Sequence, residues 1–416
     1  MAQPPPFQLR TLRRDECGTS ELHRACSIGV LEAVQWLVTR TGSSINAQCE
    51  TCRGTALLHA CYGGHLDVVR WLVCEAGSKA TTERDRRSDT ALLLACTKGH
   101  LGVARWLVAE AGSCAKTERD IAGHTALHVA CKHGHFDVAR WLVLKAGSCA
   151  KTERTASGDT ALLLACFNRH LDLAQWLISE AGSCARTERN VDGHSALLAA
   201  CSRGNLDFAR WLVTAAGCCA RTERTRLGNT ALLVACYNGH LNVAHWLVTE
   251  AGCCAKTERN CTGHSALLVA CDKGHLDVVR WLATEAGSCA KTERNNDGET
   301  ALLIACRRGD TNVARWLVDH CGKTMLMGVD GAGHNALTLA CRKWRWATCE
   351  WLIDEHDMVP VRPWTCLPLF LPHCVTSMRV ALLTERRRPG TPRRRALTAR
   401  GAFHDCGYRV FFCVFV

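Results

Sequence analysis

A tryptophan recurs every 35 residues along most of this 416-residue chain, and its register does not slip once. The column consists of Trp36, Trp71, Trp106, Trp141, Trp176, Trp211, Trp246, Trp281, Trp316 and Trp351. A fixed period between about 20 and 50 residues indicates a tandem array, in which each unit buries its apolar face against its neighbours. We therefore predict one repeat array, although length alone would suggest two or three globular domains.

Two other residue types keep the same register. Cysteines recur at Cys26, Cys61, Cys96, Cys131, Cys166, Cys201, Cys236, Cys271, Cys306 and Cys341. Hydroxyl residues recur at Ser20, Thr55, Thr90, Thr125, Thr160, Ser195, Thr230, Ser265 and Thr300. Free cysteine behaves as a small buried hydrophobe, so we assign the cysteine and tryptophan columns to the core. The array is predicted to span residues 18–355, between a proline-containing segment 1–17 and a basic, poorly ordered tail 356–416.

One unit, residues 193–225, shows how the repeat folds. Ser195 can cap a helix whose first amides lack partners, and that helix is predicted to run to about Arg203. Gly204 then allows a turn with positive φ. A second, largely apolar helix follows and is predicted to end near Ala216-Gly217, before a polar connection leads into the next unit.

These units resemble the ankyrin repeat family. The clearest copy is GHTALHVACKHGH at residues 123–135, followed by FDVARWLV at 136–143. The resemblance implies an all-α fold, an α-solenoid of about ten stacked helix-turn-helix units with hairpin loops. The chain departs from the family in its period of 35 rather than about 33 residues, and in having alanine where the family usually starts the first helix with proline.

The same resemblance implies that partners meet the concave face, at two positions after each Ala-Cys pair. The candidate partner-binding residues there are Tyr62, Lys98, Lys132, His133, Phe167, Asn168, Arg203, Tyr237, Asn238, Lys273, Arg307 and Arg308. Basic residues dominate this set, and tyrosine and arginine are frequent energetic anchors of interfaces. We therefore predict a scaffold or adaptor that binds an acidic protein or peptide.

The rival prediction is a nucleic-acid or anionic-surface binder that uses the basic face and the tail. Residues 381–416 contain eight arginines against Glu385 and Asp405, which supports this alternative and leaves nuclear import open. The sequence shows no export signal and no uninterrupted apolar stretch long enough for a membrane span. We expect a cytoplasmic monomer, with the nucleus as an alternative location.

The chain offers little sign of chemistry. Since no catalytic motif stands outside the repeat, we predict no enzyme, no catalytic residue and no cofactor. Cys49 and Cys52 have zinc-knuckle spacing, with His59 and Cys61 nearby. A closed zinc site needs four ligands and Cys61 belongs to the core column, so no metal site is predicted. The seven Thr-Glu-Arg triplets, from residues 82–84 to 292–294, are interpreted as structural hairpins rather than a binding comb.

Overall fold

A computed structural model of the chain describes residues Ser20–Met358, which form consecutive pairs of short α-helices. The first helices of the pairs are α1 Glu21–Ile28, α3 Ala56–Gly63, α5 Ala91–Lys98, α7 Ala126–His133, α9 Ala161–Phe167, α11 Ala196–Ser202, α13 Ala231–Tyr237, α15 Ala266–Lys273, α17 Ala301–Arg308 and α19 Ala336–Arg342. The second helices are α2 Leu31–Thr41, α4 Leu66–Cys74, α6 Leu101–Ala109, α8 Phe136–Leu144, α10 Leu171–Ser179, α12 Leu206–Thr214, α14 Leu241–Thr249, α16 Leu276–Thr284, α18 Thr311–Cys321 and α20 Trp346–Asp354. A short 3-10 helix, Lys323–Met327, follows α18. The predicted all-α solenoid is confirmed, and the only pairing of strand type between Ser20 and Met358 is an isolated bridge, Arg224 with Thr230.

The hydroxyl column starts the first helix of most units. The Ser195 Oγ accepts a hydrogen bond from the Leu198 amide at 3.3 Å, which satisfies one of the orphan donors of α11. Helix α11 ends at Ser202, one residue before the predicted end, and Gly204 takes a φ of 69° in the turn. Helix α12 ends at Thr214, two residues before the predicted end.

The tryptophan and cysteine columns lie in the core, as predicted. Every column cysteine is buried, and burial raises the pKa of the Cys26 thiol to about 12 because the thiolate loses its hydration. The column tryptophans on the second helices are buried or half-buried, and none is exposed. Within each of the two compact units described below, a first helix packs on its own second helix and on the first helix of the next pair, as in α1 with α2 and α3.

The packing divides the chain into two compact units, Met1–Cys253 with helices α1 to α14 and Cys254–Val416 with helices α15 to α20. No helix between Ser20 and Met358 combines the length and apolar content needed to cross a bilayer. The predicted segment 1–17 lies outside the described residues, and so does nearly all of the predicted tail 356–416.

Candidate interaction surface

The glutamate of most Thr-Glu-Arg triplets ties its hairpin to the start of the first helix of the same unit. Glu188 is only 3% exposed, and its Oε2 accepts a hydrogen bond from the Thr160 hydroxyl, the cap of α9, at 2.5 Å. Its Oε1 accepts the backbone amide of Cys184 at 2.8 Å. The same link joins Thr55 to Glu83, Thr90 to Glu118, Thr125 to Glu153, Ser195 to Glu223 and Ser265 to Glu293.

The arginine of the triplet joins neighbouring hairpins. One guanidinium nitrogen of Arg154 donates to the Gly158 carbonyl at 3.1 Å in its own hairpin and to the Arg189 carbonyl at 3.2 Å in the next. Arg119 and Arg294 repeat this pattern. The glutamates and these arginines therefore have structural partners, in agreement with the interpretation of the triplets as structural.

A histidine column fixes the backbone at the C-terminal ends of the first helices. The His100 Nε2 lies 3.0 Å from the Tyr62 carbonyl, and the His170 Nε2 lies 3.1 Å from the Lys132 carbonyl, each in the preceding repeat. A carbonyl oxygen can only accept, so Nε2 carries the proton in both cases. The backbone beside the candidate side chains is thus held in place by the next repeat.

The candidate residues differ in exposure. The exposed candidates all belong to the unit Met1–Cys253. They are Tyr62, Lys98, Lys132, His133, Asn168, Arg203, Tyr237 and Asn238. Those that are half-buried are Phe167, Lys273, Arg307 and Arg308. We call the exposed set the inner-helix row. It follows one edge of the first helices and presents two tyrosines, each 47% exposed.

Two members of the inner-helix row are in direct contact. The Lys98 ammonium lies 4.4 Å from the centroid of the Tyr62 ring, within cation–π range. Asn168 and Asn238, in contrast, donate their side-chain amides to the Leu164 and Val234 carbonyls of their own helices. The asparagines therefore cap helices, whereas the tyrosines and cations keep exposed surface.

The basic candidates of the unit Cys254–Val416 are partly neutralised by Asp272. Arg308 binds this carboxylate through two nitrogens at 2.8 and 2.7 Å, and Arg307 approaches it at 3.3 Å. Burial alone would raise the pKa of Asp272, but these arginines and Lys273 hold it below its ordinary value. Arg307 also pairs with Glu299 at 2.8 Å. These cations are less available to a partner than the sequence suggested.

A second basic surface was missed from the sequence. A lysine or arginine directly precedes most triplets and is exposed at Lys116, Lys151, Arg186 and Arg221 in the first compact unit and at Lys256 and Lys291 in the second. We call this set the hairpin column. The period of these cations was visible in the sequence. The structure adds that they are exposed, whereas the neighbouring triplet glutamates are buried and hold the hairpin in place.

The carboxyl group of Asp89 gives a test by pH. Burial first, then the nearby carboxylates of Asp85 and Asp120, raise the pKa of Asp89 to about 6. Since an unfolded aspartate titrates near 3.9, the stability that comes from this proton is present at about pH 4 and is lost as pH rises through about 6. Asp89→Asn should therefore stabilise the protein more at pH 7 than at pH 4. We expect the change in the free energy of unfolding caused by this substitution to be more favourable at pH 7 by about 1–2 kcal/mol, a value that allows for the partial exposure of the side chain.

Urea titrations of both proteins at the two pH values measure this difference. Asparagine already stands at the equivalent position in a later unit, as Asn229, so the variant introduces no foreign residue. An effect of Asp89→Asn that is the same at pH 4 and pH 7 would contradict the burial of this carboxyl group.

One cluster could hold a metal ion. The ligand atoms of Cys49, Cys52 and His59 all lie within 4.8 Å of one another. Cys49 is buried, while Cys52 and His59 are half-buried. Burial, with a smaller contribution from His23, lowers the pKa of His59 to about 4, so its imidazole is neutral at physiological pH. Cys61, considered with this motif in the sequence, is fully buried in the core column.

The comparisons agree with the repeat geometry. Overlapping stretches match the family description "Ankyrin repeats (3 copies)" from residue 22 to residue 361. The chain belongs to the ankyrin repeat family. Ankyrin repeats are generally protein–protein interaction modules, and the proteins that contain them are typically non-enzymatic scaffolds. No curated protein matches this ankyrin repeat chain significantly.

Proposed function

We propose that this chain is a non-enzymatic scaffold or adaptor that binds an acidic protein or peptide along the inner-helix row. The observation that carries the proposal is the exposure of Tyr62, Lys98, Lys132, Arg203 and Tyr237 on one edge of successive first helices. In this proposal the protein acts as a cytoplasmic monomer, with the nucleus as an alternative location.

The physical support comes from side-chain type and from rigidity. Tyrosine contributes a large contact area with few rotatable bonds, and exposed lysine and arginine attract acidic partners and accelerate encounter. The His100 and His170 contacts hold the backbone of the row before any partner arrives. A preorganised surface loses less entropy on binding than a mobile loop does.

We expect Tyr62→Ala and Tyr237→Ala each to weaken partner binding by about 30-fold, the effect of losing an interface anchor worth roughly 2 kcal/mol. Affinity capture with the wild-type chain identifies the partner, and titration calorimetry then compares the variants. The control replaces Lys116, Lys151, Arg186 and Arg221 of the hairpin column by glutamine. Loss of binding in this control, with both tyrosine variants unchanged, would show that the row is not the binding surface.

The hairpin column favours the rival function, a binder of nucleic acids or other anionic surfaces. Four consecutive hairpins of the first compact unit each carry an exposed cation, at Lys116, Lys151, Arg186 and Arg221. Such a binder loses affinity steeply as salt rises, because neutralised phosphates release counterions. Binding of a random DNA duplex with a steep salt dependence that the glutamine control abolishes would support the rival; indifference to DNA would count against it.

A further inference from the structure

The ligand atoms of Cys49, Cys52 and His59 lie within 4.8 Å of one another, close enough for one metal ion to reach all three. The Cys52 Sγ lies 3.5 Å from the His59 Nε2. In a tetrahedral site with zinc–sulfur bonds of about 2.3 Å and zinc–nitrogen bonds of about 2.0–2.1 Å, these two ligand atoms stand about 3.5 Å apart. The observed separation, which also suits a hydrogen bond between the thiol and the imidazole, is compatible with a shared zinc ion.

Two of the three ligand-type residues, Cys49 and His59, depart from residue types that most later units share. The position of Cys49 is occupied by arginine in the seven units that follow, at Arg84, Arg119, Arg154, Arg189, Arg224, Arg259 and Arg294. The position of His59 is apolar in all later units, at Leu94, Val129, Leu164, Ala199, Val234, Val269, Ile304 and Leu339. Cys52 has no cysteine counterpart in any later unit. Two thiols and one imidazole thus occur together in this one unit, and their ligand atoms lie close to one another.

A fourth departure makes room for them. Gly54 stands where the later units have Asp89, His124, Asp159, His194, Asn229, His264, Glu299 and His334. A Cβ at Gly54 would lie 3.2 Å from the Cys52 Sγ and 3.3 Å from the His59 Nε2. The φ of Gly54 is not among the positive values, so space rather than backbone conformation accounts for the glycine.

The cluster also stands where the hydroxyl-to-glutamate bond of the later units is missing. Gln48 takes the place of the triplet glutamate, 28 residues after Ser20, and the Ser20 hydroxyl instead contacts the His23 Nδ1 at 2.8 Å. The other nitrogen of His23 contacts the Ala47 carbonyl at 2.9 Å, so both nitrogens of this ring are already engaged. The first hairpin therefore lacks the carboxylate that anchors the later hairpins.

We propose that Cys49, Cys52 and His59 bind one zinc ion, which fastens the first hairpin to helix α3. Cys61 does not take part, because it lies in the core column. The fourth position is filled by water or by a ligand supplied from outside. Three protein ligands and one open position form a recognised zinc arrangement, and an imidazole–dithiolate set favours zinc over magnesium or calcium.

The test compares the zinc content of the full-length chain and three variants, purified without an affinity tag and under reducing conditions. Cys52→Ser removes one ligand, and His59→Leu introduces the residue found at the same position in three other units. Cys114→Ser is the control, because Cys114 is an exposed hairpin thiol outside the cluster. We expect one zinc ion per chain in the wild type and the control, and background zinc in both ligand variants.

Two further measurements make the result specific. Cobalt added to the metal-free wild type should give thiolate-to-cobalt charge-transfer absorption, which Cys52→Ser and His59→Leu should abolish. A chelator should speed hydrogen exchange in residues 47–61 of the wild type and leave the ligand variants unchanged. Equal zinc content in all four proteins, or a Cys49–Cys52 disulfide in a zinc-free wild type, would overturn the proposal.

Discussion

Replacing Glu188 by alanine is expected to lower the free energy of unfolding of the first compact unit by about 2–5 kcal/mol, because two donors lose their acceptor at about 1–3 kcal/mol each. The carboxylate receives the Thr160 hydroxyl and the Cys184 amide, and it is almost fully buried. Alanine leaves both donors without this acceptor, and the Thr160 side chain is fully buried.

Urea unfolding followed by tryptophan fluorescence measures the loss, and hydrogen exchange locates it. Repeat arrays can open locally, so protection should fall first in the hairpin around Glu188 and in helix α9. Glu110→Ala is the matched control, because Glu110 is an exposed glutamate and its replacement should change stability by less than about 0.5 kcal/mol. Equal losses in the two variants would contradict the structural role of the triplet.

Replacing Phe208 by alanine should lower the free energy of unfolding by about 3–5 kcal/mol, through a different mechanism. Phe208 is 1% exposed in helix α12, and its ring stacks on Trp211 with centroids 5.7 Å apart. Alanine removes this apolar contact and leaves a cavity that the neighbouring helices cannot fill completely.

Valine at the same position should be tolerated better. The equivalent residues of neighbouring units include Val138 and Val243, which are buried at the same place in helices α8 and α14. Leu144→Ala, at a leucine that is 58% exposed, is the control and should be nearly neutral. An equally large loss in Leu144→Ala would show that global sensitivity, rather than packing at Phe208, sets the effect.

The sequence predicted the fold well because the same signals recur in each unit. The tryptophan, cysteine and hydroxyl columns placed the core and the helix starts, and Gly204 marked the turn between α11 and α12. Helices α11 and α12 end one and two residues before their predicted ends. In α12 the apolar sequence continues past the final hydrogen-bonded turn, so the apolar pattern overestimates the length of the helix.

Contacts between residues far apart in the sequence could not be predicted from it. The bond from Thr160 to Glu188 joins residues 28 positions apart, and no local pattern predicts which hydroxyl a hairpin glutamate reaches. Pairing of Arg308 with Asp272, 36 positions earlier, likewise reduced the basic surface that composition suggested. Asp272 was the signal available, as the one acidic residue among the basic positions of that column.

The sequence predicted no metal site at Cys49, because a closed zinc site needs four protein ligands and the fourth candidate, Cys61, belongs to the core column. Folding places Cys61 in the core and brings His59 to Cys52 instead. The sequence could have favoured the cluster through the joint departure of Cys49, Gly54 and His59 from their columns.

The account depends on the triplet glutamates holding each hairpin to the first helix of its own repeat, which leaves side chains of the inner-helix row exposed at the surface. A double-mutant cycle on Thr160→Val and Glu188→Ala measures that coupling directly, because each substitution removes one partner of the hydrogen bond. We predict a coupling energy of about 1.5–3 kcal/mol, the range for a hydrogen bond to a charged group. Simple additivity of the two single losses would contradict the account.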